Sequence, residues 1–213
     1  MRITAESYSL VLAGIWNEAL LTPVWVAKYG LGIQEGSVNL KVSDGGPLGP
    51  TTFSLPGLSY NVLPNALVLR PETQDHAGLN RVQEIAQAIL RELPHTPVGA
   101  LGLNVGFEST SPSEEVLGSF RVAQNDVVDA TASEGWSVAG NKLHTSLSKD
   151  GLTLNIDKLI SDGNVKIQFN FHSPCSGAVS AIAALDRLPF SVAVDEAMRI
   201  AGMVLGEEMS DAH

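Results

Sequence analysis

Val165, Ile167, Phe169 and Phe171 alternate with Lys166, Gln168, Asn170 and His172. Strict period-two alternation gives a strand one apolar and one polar face. Two preceding runs repeat the pattern. Leu152, Leu154 and Ile156 stand against Thr153, Asn155 and Asp157, and, more weakly, Leu143, Thr145 and Leu147 stand against His144, Ser146 and Ser148. Asp150-Gly151 and Asp162-Gly163 separate the runs and supply the positive φ values of two-residue hairpin turns. The stretch from Trp136 to His172 is therefore predicted as a three-stranded antiparallel meander.

Those turns fix a register. Lys149 falls opposite Leu152 and Ser161 opposite Asn164, so Leu147 meets Leu154, Leu154 meets Phe171, and Ile156 meets Phe169. The apolar residues then share a face, and a one-residue slip would scatter them. Lys158, opposite Ile167, is the misfit. The other face carries three polar rows: His144, Asp157, Gln168; Ser146, Asn155, Asn170; Ser148, Thr153, His172.

Elsewhere, Tyr8 to Ile15 reads as a strand, and Thr22-Pro23 opens a short helix that Gly30 ends. Trp16 and Trp25 are expected in the core. Residues 37–42 alternate as a short strand. The loop 43–50 follows, its glycines lacking the Lys-Ser/Thr of a phosphate-binding loop. Strands are predicted at Leu58 to Leu63 and Ala66 to Arg70. A helix from Asp75 to Leu93 carries Leu79, Val82, Ile85, Ala86, Ile89 and Leu90 at helical spacing, and Pro94 ends it. Val98 to Phe107 is a strand whose Gly99, Gly102 and Gly106 suggest bulges or close backbone approach. Helical material is expected from Ser111 to about Ala130. After the meander come helices at Ala178 to Arg187 and Ser191 to Glu208. The last is apolar on most sides, with a small stripe at Ala193, Ala197 and Ala201. It needs cover on two faces, from its own sheet and helix 178–187 or from a second copy of the chain.

The element order repeats. Residues 7–94 and 98–208 each read strand, helix, several strands, long helix. The predicted fold is one α+β domain over residues 1–213, with a curved antiparallel sheet, two long helices on one face and two pseudo-symmetric halves. This layout resembles the duplicated saddle of TATA-binding-like and helix-grip folds. It is also similar to a sporadically distributed bacterial family of unknown function, whose members pair an N-terminal strand region and helix with a meander and closing helix. The resemblance rests on element order over most of the chain. A saddle that binds DNA needs a basic concave face, so DNA binding does not come with it.

Charge narrows the partners. The formal net charge is −10, and the 13 Lys and Arg are scattered. Nucleic acid and anionic membrane are therefore not expected partners. Cys175 is the one cysteine, so no internal disulfide forms and a reducing, cytoplasmic setting is expected, in a bacterial cell if the resemblance holds. Glu6, Asn17 and Glu18 interrupt the N-terminal apolar stretch, which lacks a signal-peptide pattern. No cofactor or metal is indicated.

Chemistry concentrates in two places. His144 beside Asp157 would orient an imidazole for proton transfer, but the same pair serves as a cross-strand charge pair on a solvated sheet face. His172 and Cys175 lie three residues apart, so a thiolate beside an imidazole, or half a zinc site, is one reading. A small buried cysteine at a turn is the other. Glu108 could join Asp157 as a carboxylate pair, though nothing in the sequence places them together.

Three functions follow. The leading one is a non-catalytic interaction module that holds another protein, or its own copy, on a polar face bearing Asn155, Gln168, Asn170 and His172. The second is a small-molecule-binding protein with an apolar ligand between sheet and last helix. The third is a hydrolase-type enzyme using His144 and Asp157, or Cys175.

Overall fold

Asp150 and Gly151 take φ values of 51° and 75°, so both residues of this turn are left-handed, as a tight hairpin requires. A computed structural model describes residues 3–33, 41–43, 50–109, 112–120, 140–161 and 163–205. The predicted meander is present as β7 (Gly140–Lys149), β8 (Leu152–Ser161) and β9 (Asn164–Pro174). Its register is the one the turns dictate: Leu147 pairs with Leu154, Leu154 with Phe171, and Ser161 with Asn164. Trp136 and Asp162 lie outside the described residues.

The remaining strands are β1 (Ile3–Gly14), β2 (Lys41–Ser43), β3 (Thr52–Leu55), β4 (Leu58–Leu63), β5 (Ala66–Pro71) and β6 (Val98–Ser109). The nine form one open antiparallel sheet in the order β2-β3-β4-β5-β1-β6-β9-β8-β7. The long β1–β6 pair is its seam. Outward from the seam, β1 is followed by β5, β4 and β3, and β6 by β9, β8 and β7. The pairing order is thus the same in both halves, with β2 added to the first.

Three boundaries differ from expectation. Strand β1 begins at Ile3 rather than Tyr8, because its N-terminal part pairs with β6 as far as Ser109. Strand β3 was not anticipated. Pro56-Gly57 closes it onto β4, with Gly57 at φ 79°. The strand expected at 37–42 is described only as Lys41–Ser43, residues 34–40 and 44–49 lying outside the described set.

One row of side chains shows how the sheet is held. Phe53, Tyr60, Leu69, Leu10, Leu103, Phe171, Leu154 and Leu147 face one another across eight strands. Its centre is fully buried and its β7 end exposed, with Leu147 at 52%. All five described helices bury residues in this same core. They are α1 (Pro23–Tyr29), α2 (His76–Glu92), α3 (Glu114–Phe120), α4 (Ala178–Arg187) and α5 (Phe190–Leu205). Thr22 and Asp75 cap α1 and α2 through their side chains. Trp16 is buried, its Nε1 donating to the Leu12 carbonyl at 2.9 Å, and Trp25 packs on Tyr29.

The stripe Ala193, Ala197 and Ala201 is buried, and α5 contacts β6, β9 and α2. Cover for the last helix thus comes from its own sheet and from α2. The expected helical stretch after Phe120 and the end of the last helix after Leu205 lie outside the described residues.

Candidate functional site

The alternation that buries one face of β6 to β9 leaves the other face polar, opposite the helices. On β1 and β6 that face carries Ser9 and Asn104, which pair directly. Asn104 pairs with Asn170 on β9, Asn170 with Asn155 on β8, and Asn155 with Ser146 on β7. Five polar residues therefore stand in one row across five strands.

The row is continuously hydrogen-bonded. Asn104 Nδ2 donates to Ser9 Oγ at 3.2 Å, and Asn170 Nδ2 donates to Asn104 Oδ1 at 2.6 Å. Asn155 Nδ2 donates to Asn170 Oδ1 at 3.3 Å, and Ser146 Oγ donates to Asn155 Oδ1 at 2.7 Å. The chain then steps into the next row. His144 Nε2 lies 2.9 Å from Ser146 Oγ, and His144 Nδ1 lies 2.6 Å from Asp157 Oδ1. Lys142 Nζ sits 2.9 Å from Asp157 Oδ2.

Asp157 is the electrostatic anchor. Burial alone would raise its carboxyl, but hydrogen bonds from Lys142 and His144, reinforced by their charge, outweigh it and hold the group below the usual carboxylate range.

Glycines keep this face clear. Gly102 and Gly106 flank Asn104 on the polar face of β6. A Cβ on Gly102 would come within 3.1 Å of Asn170 Nδ2, and one on Gly106 within 3.1 Å of Ser7 Oγ. Beside Gly106 the face sinks into a recess of about 290 Å³, bordered by Ser7, Ser9, Asn104, Gln168 and Asn170. Gly102 and Gly106 thus serve close approach of side chains, while Gly99, with nothing within 4 Å of its ideal Cβ, is the residue of β6 skipped at the register shift between Ala13 and Gly14.

The structure brings His144, Asp157, Asn155 and Asn170 into one network. Gln168 borders the recess in the row of Asp157. His172 lies on the same polar face, opposite Gly102 and Thr153. Cys175 packs toward the core instead, its backbone N–H bonded to the Gly99 carbonyl. Burial, only partly offset by neighbouring hydrogen bonds and Arg187, raises its thiol. The imidazole and thiol therefore do not form a pair. Glu108 sits 3.6 Å from Lys166, in a different row from Asp157. Among the described residues, no three His, Cys, Asp or Glu side chains converge as metal ligands.

Two members of the network, Ser9 and Asn104, were missed from the sequence. They lie far from the meander in the chain, and only the pairings of β6 with β1 and β9 reveal them. Ser146 was placed in its row, but its contact with His144 depends on side-chain geometry. Among the described residues no helix is long and apolar enough to cross a membrane. No protein-family model matches the chain, and no curated protein matches it.

Proposed function

We propose that this protein is a non-catalytic binding module that holds another protein on the polar face of its sheet. The observation that carries this reading is the continuous hydrogen-bonded row from Ser9 to Ser146, extended to Asp157. Each asparagine in it spends one N–H and one lone pair on its neighbours and keeps one of each for a partner. Neutral amides suit the backbone and side-chain amides of a polypeptide and require no counter-charge. Because neighbours already hold the side chains, little further ordering entropy is lost on binding. Gly102 and Gly106 let a partner come close to the row.

Affinity capture with the wild-type chain and the Asn104→Ala/Asn155→Ala/Asn170→Ala variant tests this. The variant is expected to retain its fold by circular dichroism and to hold the specific partner at least about tenfold more weakly, the cost of losing roughly 1.4 kcal/mol or more. Equal retention by a folded variant overturns the reading.

A second reading is favoured by one specific geometry. Asp157, His144 and Ser146 stand in the order and at the distances of an orienting carboxylate, a base and a hydroxyl nucleophile. Ser146 Oγ would add to an ester carbonyl carbon while its proton passes to His144 Nε2. The bond from that carbon to the leaving alkoxide oxygen would then break, with His144 returning the proton to the departing alcohol, and water would later hydrolyse the acyl–serine ester. A serine-directed phosphonate probe that labels Ser146, with labelling lost in His144→Gln, would establish this reading. An unlabelled Ser146 removes it.

A further inference from the structure

The direction of the hydrogen-bonded row is coupled to which nitrogens of His144 carry hydrogen. Ser146 gives its single hydroxyl proton to Asn155 Oδ1, so Ser146 Oγ can only accept from His144 Nε2, 2.9 Å away. On the other side of the ring, Nδ1 lies 2.6 Å from a carboxylate oxygen that has no proton to give. With the amides facing this way, the row is complete when both ring nitrogens of His144 carry hydrogen.

Remove one of these protons and the accounting fails at one defined point. The Asp157 carboxylate keeps the Nδ1 hydrogen, so Nε2 becomes an acceptor facing Ser146. The serine hydroxyl then turns to donate to Nε2. This leaves Ser146 Oγ and Asn155 Oδ1 in contact as two acceptors. A half-turn of the Asn155 amide about its last side-chain bond exchanges oxygen for nitrogen and repairs the clash. It also creates the same clash against Asn170 Oδ1. Repairing that one turns Asn170, and then Asn104. The sequence ends at Ser9, whose hydroxyl rotates freely to donate. Every contact is then satisfied again, with all donors reversed and no backbone displaced.

We infer that the polar row is a proton-controlled relay: the charge state of His144 sets the hydrogen-bonding direction of Ser146, Asn155, Asn170, Asn104 and Ser9. This rests on the reading of the row as a binding surface and adds its regulation. Where a bound polypeptide meets an amide oxygen in one state it meets an amide nitrogen in the other, so a partner fitted to one state is rejected by the other. The charged groups around His144 are Lys142 on its own strand and Asp157 on β8. Beyond these on the polar face are Lys166 of β9 with Glu108 of β6 in the adjoining row and His172 of β9 on the far side, while Glu114 and Glu115 belong to α3, which packs on β8 from the core face. Of these charged groups only Asp157 touches the ring in the described contacts, and its carboxyl is held below the usual carboxylate range.

The test is a pH series of side-chain amide spectra on protein labelled with ¹⁵N-asparagine and ¹⁵N-histidine, without any partner. The expected result is that the amide pairs of Asn104, Asn155 and Asn170 shift together, with the same midpoint as the His144 ring. Asn61, bonded separately to Thr51, Thr52 and Arg70, does not follow that midpoint. In Ser146→Ala the His144 ring still titrates and the three amides no longer follow it. In His144→Gln they are stationary. Amides that ignore the His144 midpoint in the wild type overturn the relay, as do amides that follow it equally in Ser146→Ala. Because no partner is present, failure here leaves the binding reading intact, and failure of the capture experiment leaves the relay intact.

Discussion

Asn170 donates to Asn104 at 2.6 Å, and this bond joins the meander to the central β1–β6 pair on the polar face. The two residues are 66 positions apart in the chain, and the β6–β9 register places them directly opposite each other. Asn170→Ala removes two side-chain hydrogen bonds, to Asn104 and from Asn155, and is expected to lower unfolding free energy by about 1–3 kcal/mol, the usual net value of two neutral hydrogen bonds. Gly102→Ala should cost no more than about that, but its Cβ would sit 3.1 Å from Asn170 Nδ2 and shift that amide by a few tenths of an ångström, so it should weaken partner capture in the same direction as Asn170→Ala. Urea melts beside capture assays check both. A Gly102→Ala protein that captures normally would place Asn170 outside the binding row.

The core row gives a graded test of the fold. Leu10 is fully buried at its centre, whereas Leu147 is 52% exposed at its β7 end. Leu10→Ala is expected to cost about 2–5 kcal/mol through lost burial and a residual cavity. Leu147→Ala should stay within about 0.5 kcal/mol. Equal losses in urea unfolding would mean that this row is not graded from a buried centre to an open edge.

Gly78 offers a test in which sign matters. Alanine normally stabilises a helix relative to glycine by about 1 kcal/mol. Here a Cβ would fall 2.2 Å from the Thr73 carbonyl oxygen, a backbone atom unable to move alone. Gly78→Ala is therefore expected to destabilise the chain, and a raised melting temperature would contradict the packing of α2 against the turn before it.

Asp157 predicts a limb of the pH–stability curve. Its carboxyl is held below the ordinary value in the folded chain, so its contribution is present above the unfolded carboxylate pKa near about 4. It is lost as pH falls through the folded value. Asp157→Asn should flatten the acid limb below about pH 4 relative to wild type. Superimposable acid limbs would show that Lys142 and His144 do not engage this carboxylate in solution.

At the alkaline end, burial, with Asp195 nearby, pushes the Tyr8 phenol up to about 12. Its neutral form is favoured in the folded state, so its contribution holds below the unfolded phenol pKa near about 10 and fades as pH rises through the folded value. Comparing the ultraviolet tyrosinate signal of wild type and Tyr8→Phe isolates this group. A Tyr8 signal that develops fully near about pH 10 in folded protein would contradict the burial of β1.

The meander was legible because two independent signals agree there. Asp-Gly turns set the register, and alternating side chains reject any other. The same signals placed His144 opposite Asp157, and Asn155 opposite Asn170. The first half carries weaker punctuation. β3 has four residues and a single Pro-Gly turn, too short for alternation to distinguish it from loop. The candidate site was half legible for a different reason. Rows within a meander follow from local turns, whereas Asn104 and Ser9 join theirs through β6–β9 and β1–β6 pairings that span much of the chain. No local pattern encodes those pairings. The proton bookkeeping around Ser146 needs side-chain distances as well.

The measurement that reaches the central claim most directly is site-specific photo-crosslinking in the host cell. A photoreactive side chain is placed at Gln168, beside the polar row, and as a control at Val179, exposed on α4. Discrete partner adducts from position 168, lost when Asn104, Asn155 and Asn170 become alanine and absent from position 179, are the expected result. Adducts that arise from position 179 instead, or that persist at 168 in the triple variant, would contradict binding through the polar face.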